Sequence, residues 1–240
     1  MNVLAIGNSF SEDATRYLHG IARADGETLN VVNLYIGGCS LEKHFRNMHS
    51  EARAYELQYN GEKTGFFVSI KDALLNRRWD VVTFQQASPA SFDKESYFPY
   101  ISELVMYARA FSPKAKIYIH QTWAYEEGSE RLLNFGRFEH AYEMRDALIS
   151  AYDEVAKEIG AHGIIPSGKL LSNLLESGIE KVHRDTYHAS KGLGRYALAL
   201  LWYSVLTGRS VLDNTFCDFD EAISEEERAI AKKCVEAITK

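Results

Sequence analysis

The amino-acid sequence predicts an α/β fold in which a single three-layer α/β/α domain spans residues 1–240. Short apolar runs alternate with longer segments of helical periodicity, a pattern typical of a mostly parallel sheet covered by helices on both faces. The chain is 46% hydrophobic, enough for one full-sized core, and no low-complexity tract or Pro/Gly/Ser-rich linker divides it. We therefore expect a mostly parallel five-stranded sheet with one small β-hairpin inserted near residues 56–68.

Five short apolar runs are the expected parallel strands. Each is bounded by polar or turn-forming residues and is too short to be a typical helix. They are Asn2–Ile6, Leu29–Ile36, Trp79–Phe84, Ala115–His120 and Gly163–Ile165. In an open sheet of this kind, ligands bind beyond the carboxyl ends of the strands, so the residues that follow these runs are the first candidates for a site.

Eight further segments are expected to be helices. Ser11 is the expected N-cap of the first helix, since the acids Glu12 and Asp13 after it suit a first helical turn. Asn60-Gly61 between apolar and aromatic residues is a strong hairpin signal and assigns Glu56–Val68 to the inserted hairpin. The expected helices are Ser11–Ala24, Leu41–Ala54, Ile70–Arg77, Tyr97–Ala110, Phe138–Ile159, Ser167–Glu176, Lys191–Thr207 and Glu225–Thr239.

Charge and hydropathy argue against several classes of function. The net charge is −6 and no Lys/Arg cluster is interleaved with aromatic residues, so we expect no nucleic-acid partner. No apolar run approaches the ~20 residues that cross a bilayer, so we expect no membrane association. Met1–Gly7 has the pattern of a strand rather than of a leader peptide, so we expect a cytoplasmic protein, unless a signal peptide has been trimmed.

The three cysteines, Cys39, Cys217 and Cys234, match no zinc-binding pattern. We expect reduced thiols, as in intracellular proteins, although Cys39 lies beside a predicted site residue. A zinc site formed by His120 and His183 with the late Asp-x-x-His is disfavoured, because no His-x-x-x-His or Cys-x-x-Cys spacing supports it. The expectation is therefore that the protein uses no metal and no organic cofactor.

Two short motifs at opposite ends of the chain carry the chemistry. Ser9 follows the first strand, and Asp185 and His188 lie three residues apart near the C-terminus. A serine hydroxyl becomes a nucleophile when a base removes its proton. His188 is the expected base, and Asp185 is expected to hold one imidazole nitrogen while the other faces Ser9. Alone, each residue has a structural interpretation, such as a helix cap or a surface histidine.

An acyl-transfer site also needs donors for the developing oxyanion. The N–H of Gly38 is one candidate, because glycine lets a ligand approach the backbone closely. The side-chain amide of Gln85 or of Gln86 is another; adjacent strand residues point to opposite faces, so only one can reach the site. His120 and Trp123 follow the fourth strand and are candidate substrate contacts, with structural roles as the alternative.

These blocks resemble the SGNH (GDSL-like) hydrolase superfamily. Similar positions carry a serine block after strand one (Gly7-Asn8-Ser9), an oxyanion glycine (Gly38), an oxyanion amide after a central strand, and a late Asp-x-x-His (Asp185–His188). Gly-Asn-Ser-Phe-Ser and Gly-Gly-Cys-Ser also look like an uncharacterised branch of that superfamily. Two departures are Asn8 in place of the usual Asp, and glutamines in place of Gly-x-Asn-Asp.

The resemblance implies a flavodoxin-like sheet and a serine esterase. Some carbohydrate acetylesterases of the superfamily have a Gln-Gly-Glu-type block, and Gln85 aligns with that Gln. This favours Gln85 over Gln86 as the oxyanion amide and implies a small carbohydrate ester, acetylated in particular, as the substrate. The alternative is a non-catalytic module that binds a ligand or glycan where Gly7–Ser11 meets a helix N-terminus. The oligomeric state is left open by the sequence.

Overall fold

The computed structural model describes all residues from Met1 to Lys240. Its seven strands are β1 (Asn2–Gly7), β2 (Asn30–Tyr35), β3 (Tyr55–Tyr59), β4 (Glu62–Val68), β5 (Val81–Phe84), β6 (Lys116–His120) and β7 (Gly163–Ile165). Its ten helices are α1 (Ser9–Thr15), α2 (Leu18–Ala24), α3 (Leu41–His49), α4 (Ile70–Asn76), α5 (Tyr100–Phe111), α6 (Glu130–Leu133), α7 (Ala141–Glu158), α8 (Ser167–Glu176), α9 (Leu193–Thr207) and α10 (Glu225–Thr239).

All strands belong to one sheet with the order β4-β3-β2-β1-β5-β6-β7. Strands β2, β1, β5, β6 and β7 are mutually parallel, as predicted. The predicted hairpin forms, but it is not a separate insertion. Its first strand pairs antiparallel with β2, from Val32 opposite Tyr59 to Tyr35 opposite Glu56. The sheet therefore has seven strands instead of the expected five, because the hairpin satisfies the open hydrogen-bonding edge of β2.

Helices cover the sheet in two packed groups. Helices α1, α2, α8 and α10 all contact α9, whereas α3, α4 and α5 contact one another. Helix α9 is the most buried of the helices, and eleven of its fifteen residues lie in the interior. The central strand β1 is equally apolar, since Val3, Leu4, Ala5 and Ile6 have 1% or less of their surface exposed. No helix is both long and apolar enough to cross a membrane.

The first predicted helix differs from its expected form. It begins two residues earlier, at Ser9, and it is broken into α1 and α2 around Arg16 and Tyr17. Several other expected helices are too long at one end. Helix α3, for example, ends at His49 instead of Ala54, because Glu51 adopts a left-handed conformation (φ of +49°) that ends the helix. The short helix α6 was not predicted, because four residues are too few to show a helical period.

The strand order places a crevice between β1 and β5. The chain leaves β1 toward β2 on one side and later returns to β5 on the other side of β1. Connections then leave the carboxyl ends of β1 and β5 in opposite directions, and a ligand site forms at such a switch point. The Ser9 loop follows β1 and the Gln85–Ser88 loop follows β5, so both reach this crevice.

Candidate active site

Ser9 is the first residue of α1, directly beyond the carboxyl end of β1. The helix is capped by Asn8, whose extended backbone lets Oδ1 accept the Phe10 N–H at 3.0 Å. The expectation that Ser11 is the cap is therefore wrong. Ser11 lies inside the first turn, and its hydroxyl contacts Asn33 Oδ1 at 2.7 Å. The tight entry through Asn8 leaves the Ser9 side chain at the mouth of the crevice.

The structure brings Ser9, His188 and Asp185 together in a hydrogen-bonded row. Ser9 Oγ lies 2.9 Å from His188 Nε2, and His188 Nδ1 lies 2.7 Å from Asp185 Oδ2. The other carboxylate oxygen of Asp185 accepts the backbone N–H groups of Tyr187 and His188 at 2.9 and 2.8 Å. The carboxylate accepts a hydrogen at Nδ1, so Nε2 is left to accept the Ser9 proton.

Hydrogen bonding keeps the Asp185 carboxyl ionised. Partial burial alone would raise its pKa, but hydrogen bonds from the backbone and ring of His188 and from the Tyr187 N–H outweigh burial and lower the pKa to about 2. The carboxylate side chain is 45% exposed, whereas the His188 side chain is only 16% exposed. The imidazole is thus the more enclosed member of the pair. A base should face the substrate rather than bulk solvent, and the enclosed imidazole meets this requirement.

Trp123 supports the Asp185–His188 loop from behind. Its indole Nε1 donates to the Tyr187 carbonyl at 2.7 Å, and its ring stacks on Phe10 with centroids 4.0 Å apart. Trp123 is fully buried and does not line the crevice, so its expected role as a substrate contact is wrong. The residue instead joins the loop that carries His188 to the helix that carries Ser9.

Two residues that line the crevice have backbone N–H groups without an acceptor in the chain. The Ser9 N–H is the first of a helix and has no partner inside it. Gly38 lies in a turn after β2 with φ of +63°, a conformation that favours glycine, and its N–H makes no hydrogen bond in the chain. Asn8 Nδ2 donates to the Cys39 carbonyl at 3.1 Å and so ties this turn to the Ser9 helix.

Gln85 does not reach the crevice, and its expected role as an oxyanion donor is wrong. Its Nε2 donates to Asn8 Oδ1 at 2.7 Å, and its Oε1 lies 3.1 Å from His120 Nδ1. The end of β1 is close enough that a Cβ on Gly7 would lie 2.8 Å from Gln85 Oε1. The amide therefore lies beneath the site, where it holds Asn8, which precedes the nucleophile.

His120 extends the same buried row, so its expected contact with substrate is also wrong. Asn8 Oδ1 accepts hydrogen bonds, so Gln85 must present its amide nitrogen there and its oxygen to His120. His120 Nδ1 must then carry the hydrogen, and Nε2 accepts the Ser167 hydroxyl at 3.1 Å. Complete burial lowers the His120 pKa to about 3 and keeps the ring neutral.

Gln86, the alternative amide, is also occupied, in its case by hydrogen bonds to backbone groups. Its Oε1 accepts the N–H groups of Leu41 and Ala87 at 3.0 and 2.9 Å, and its Nε2 donates to the Ser96 carbonyl at 2.9 Å. The two glutamine side chains have different partners, as the alternation of strand residues predicts. Neither side chain reaches the crevice, because each hydrogen-bonds buried polar groups elsewhere.

A cleft of about 430 Å³ opens over Ser9 and His188. It is lined by Asn8, Ser9, Phe10, Tyr35, Gly37, Gly38, Ala87, Ser88, Pro89, Tyr125, Arg131, Tyr187 and His188. Sequence reasoning did not single out Tyr35, Ser88, Tyr125, Arg131 or Tyr187. Ser88 and Tyr187 lie within or directly beside motifs that the sequence analysis used and could have been proposed. Tyr125 and Arg131 lie between β6 and α7, where the local sequence gives no signal.

The Cys39 thiol is not reactive in this structure, and the histidines do not form a metal centre. Cys39 is fully buried, and burial raises the pKa of its thiol to about 12. A protonated, enclosed thiol is a poor nucleophile. No three side chains of His, Cys, Asp or Glu converge closely enough to hold a metal ion.

Comparison with known proteins places the chain in a family. The sequence profile of DUF4886, described as a domain of unknown function, matches residues 2–237. A DUF4886 family protein from Bacteroides uniformis is 36% identical, with a TM-score of 0.93 over 99% of this chain and 94% of that chain. No protein with a curated description matches the sequence.

The structure is more distantly similar to those of SGNH proteins. A putative SGNH hydrolase from Slackia heliotrinireducens is 22% identical, with a TM-score of 0.62 over 86% of this chain and 98% of that chain. An acetylxylan esterase from Geobacillus stearothermophilus is 13% identical, with a TM-score of 0.53 over 84% and 90%. The fold is therefore that of the SGNH (GDSL-like) hydrolases, as the sequence motifs predicted. Since the profile covers nearly the whole sequence, the chain belongs to the DUF4886 family.

Proposed function

We propose that the protein is a serine esterase that hydrolyses small acyl esters, acetyl esters of carbohydrates or related alcohols in particular. The observation that carries the proposal is the hydrogen-bonded row Ser9–His188–Asp185 at the mouth of the cleft. The row has the order and the roles of a nucleophile, a base and an orienting carboxylate.

In the first half of the reaction, Ser9 Oγ attacks the ester carbonyl carbon while His188 Nε2 takes the hydroxyl proton. The carbonyl oxygen becomes an oxyanion, and the free N–H groups of Ser9 and Gly38 are the donors that we assign to it. The bond between the carbonyl carbon and the alcohol oxygen then breaks. His188 returns its proton to that oxygen, and the alcohol leaves an acyl-Ser9 ester.

In the second half, a water molecule replaces the alcohol. His188 removes one proton from the water, and the hydroxide attacks the acyl carbon. The bond to Ser9 Oγ breaks, His188 returns the proton to Ser9, and the carboxylic acid leaves. Asp185 stays ionised throughout and stabilises the imidazolium form of His188.

The shape of the cleft supports a small, ring-containing substrate. Tyr35 and Tyr187, which are only partly buried, line the cleft that contains Ser9, and aromatic surfaces of this kind suit sugar rings. The fold shared with an acetylxylan esterase favours an acetyl group, by analogy alone.

Hydrolysis of 4-nitrophenyl acetate, butyrate and octanoate by the wild type, Ser9→Ala and His188→Gln tests the proposal. We expect acetate to be cleaved fastest, and we expect Ser9→Ala to lower kcat by at least about 10⁴-fold without unfolding the protein. Ser150→Ala, an exposed serine on α7, is the control and should retain full activity. Undiminished turnover by Ser9→Ala would contradict the role of Ser9 as nucleophile, and a wild type that cleaves none of the three esters would favour the non-catalytic ligand-binding module.

A further inference from the structure

The cleft over Ser9 contains one permanently charged side chain, Arg131. The chain carries 33 acidic residues, yet none of the residues that line this cleft is an Asp or a Glu. Arg131 is exposed, and no carboxylate lies within 4.0 Å of its guanidinium. By contrast, Arg16, Arg184 and Arg195 are all paired with carboxylates. Asp185 lies on the far side of His188 from Ser9, where the imidazole and two backbone N–H groups bind its carboxylate. Arg131 is therefore the one unpaired charge among the residues that line the cleft, and it attracts anions to the cleft.

The Arg131 guanidinium is held in place by an aromatic ring. Its central carbon lies 3.9 Å from the centroid of the Tyr187 ring and 6.0 Å from that of Tyr125. Stacking on an aromatic face fixes the guanidinium plane and leaves its N–H edge free. Ser129 caps the short helix α6 that carries Arg131, and so holds the backbone from which the arginine extends.

The position of Arg131 assigns it to one end of a bound ester. The Tyr187 ring lies against the His188 ring, with centroids 3.9 Å apart, and Arg131 lies on that same Tyr187. His188 must deliver its proton to the leaving oxygen, so the alcohol portion of the ester has to pass His188. Arg131 is then next to the alcohol portion, while the Gly38 turn lies at the oxyanion end.

We infer that Arg131 binds an anionic oxygen group on the alcohol portion of the substrate, so that the preferred substrates are acyl esters of acidic alcohols, acidic sugars included. A guanidinium binds a carboxylate or a phosphate through two parallel N–H bonds, which a lysine could not match. This inference rests on the proposed esterase function, whose substrate class it narrows. Arg131 is here a specificity-determining residue and takes no part in proton transfer.

Matched aryl acetates test the inference. The probes are 4-acetoxybenzoate, 4-acetoxyphenyl phosphate and the neutral 4-acetoxybenzamide, and the readout is the ratio of kcat/KM for each anion over the amide. We expect wild-type ratios of about 10, chiefly through KM, because one charge-assisted pair in an open cleft is worth about a tenfold effect. The benzoate and phosphate ratios show which anion the guanidinium prefers. Both ratios should fall as salt is raised, since exposed charges are screened.

Arg131→Gln should bring both ratios to about 1, and Arg131→Lys should give intermediate ratios. Arg137→Gln is the matched control and should keep the wild-type ratios. Arg137 is also exposed and also lies over aromatic rings, those of Phe92 and Phe138 at 5.4 Å, but it lies outside the cleft. Equal kcat/KM for the anions and the amide in the wild type, or unchanged ratios in Arg131→Gln, would overturn the inference.

A binding measurement separates this inference from the proposed function. Calorimetric titration with 4-hydroxybenzoate and with 4-hydroxybenzamide requires no turnover. Tighter binding of the benzoate that is lost in Arg131→Gln supports the anion site even if no ester is cleaved. Equal binding of the two phenols, together with cleavage of the neutral ester, would reject the anion site and leave the esterase proposal intact.

Discussion

The Asp13 carboxylate, which has no exposed surface, accepts hydrogen bonds from the Arg184 guanidinium at 2.8 and 2.9 Å. Asp13 lies one turn beyond Ser9 on α1, and Arg184 directly precedes Asp185. The pair therefore joins the helix that carries the nucleophile to the loop that carries His188. Arg195 of α9 donates to the same carboxylate at 2.9 Å and anchors both to the interior.

Asp13→Asn should destabilise the protein strongly. The amide leaves Arg184 and Arg195 without their shared buried counter-charge, and breaking such a buried pair costs about 3 kcal/mol of unfolding free energy. Urea unfolding followed by circular dichroism measures the loss. Asp153→Asn, an exposed acid on α7 without an ion pair, is the control and should change stability by less than about 0.5 kcal/mol. Equal stability of Asp13→Asn and wild type would refute the anchoring role.

Gln85 and Asn8 should act on catalysis as a unit. Gln85 contacts the site only through Asn8, which holds both the Ser9 helix and the Gly38 turn. We expect Gln85→Ala and Asn8→Ala each to lower kcat, and the double variant to be little slower than Asn8→Ala alone. A double-mutant cycle on kcat measures the coupling. Fully additive effects would instead mean that Gln85 acts on catalysis independently of Asn8.

Trp123→Phe should slow catalysis as well as destabilise the fold. Phenylalanine keeps an aromatic ring against Phe10 but leaves the partly buried Tyr187 carbonyl without its N–H donor, a loss worth about 1 kcal/mol. We expect kcat to fall several-fold as the His188 loop loosens. Trp202→Phe is the control, because the Trp202 Nε1 is buried without any partner. A kcat for Trp123→Phe equal to that of Trp202→Phe would count against the support role.

Acid should remove the stabilisation that Asp220 provides. Side-chain hydrogen bonds from Arg16, and then from Arg195, lower the pKa of Asp220 to about 2 from its usual value of 3.8. Because the folded pKa is the lower one, this stabilisation is complete above about pH 4 and is lost as the pH falls toward 2. The difference in unfolding free energy between wild type and Asp220→Asn should shrink over that interval. Asp218→Asn, at a neighbouring residue without an ion pair, should show no such convergence.

The strands and the Asp185–His188 pair could be predicted because short-range pattern determines them, whereas the contact of His188 with the distant Ser9 was predicted from the order of the motifs along the chain. An apolar run bounded by turns fixes each strand, and a three-residue spacing lets Asp185 reach His188 within one turn. The roles of Gln85, His120 and Trp123 could not be predicted. Each lies at a strand end near the site, but buried partners distant in sequence, such as Asn8, Ser167 and Tyr187, determine where each side chain points.

The role of Arg131 could not be predicted from the sequence either. It lies between β6 and α7 in a segment with no periodicity, so nothing in the local sequence predicts that it reaches the cleft. Only the folded chain places it over Tyr187, and Tyr187 beside His188. Residues that act through tertiary stacking leave no spacing pattern in the sequence.

The most direct test of the central claim is covalent labelling of Ser9 by an alkyl fluorophosphonate, followed by intact mass and peptide mapping. In this reaction the Ser9 oxygen forms a bond to phosphorus, the phosphorus–fluorine bond breaks, and His188 accepts the hydroxyl proton. The account predicts one label per chain, located at Ser9, with none in Ser9→Ala and slower labelling in His188→Gln. A folded wild-type protein that takes up no label, or takes it up at another residue, would contradict it.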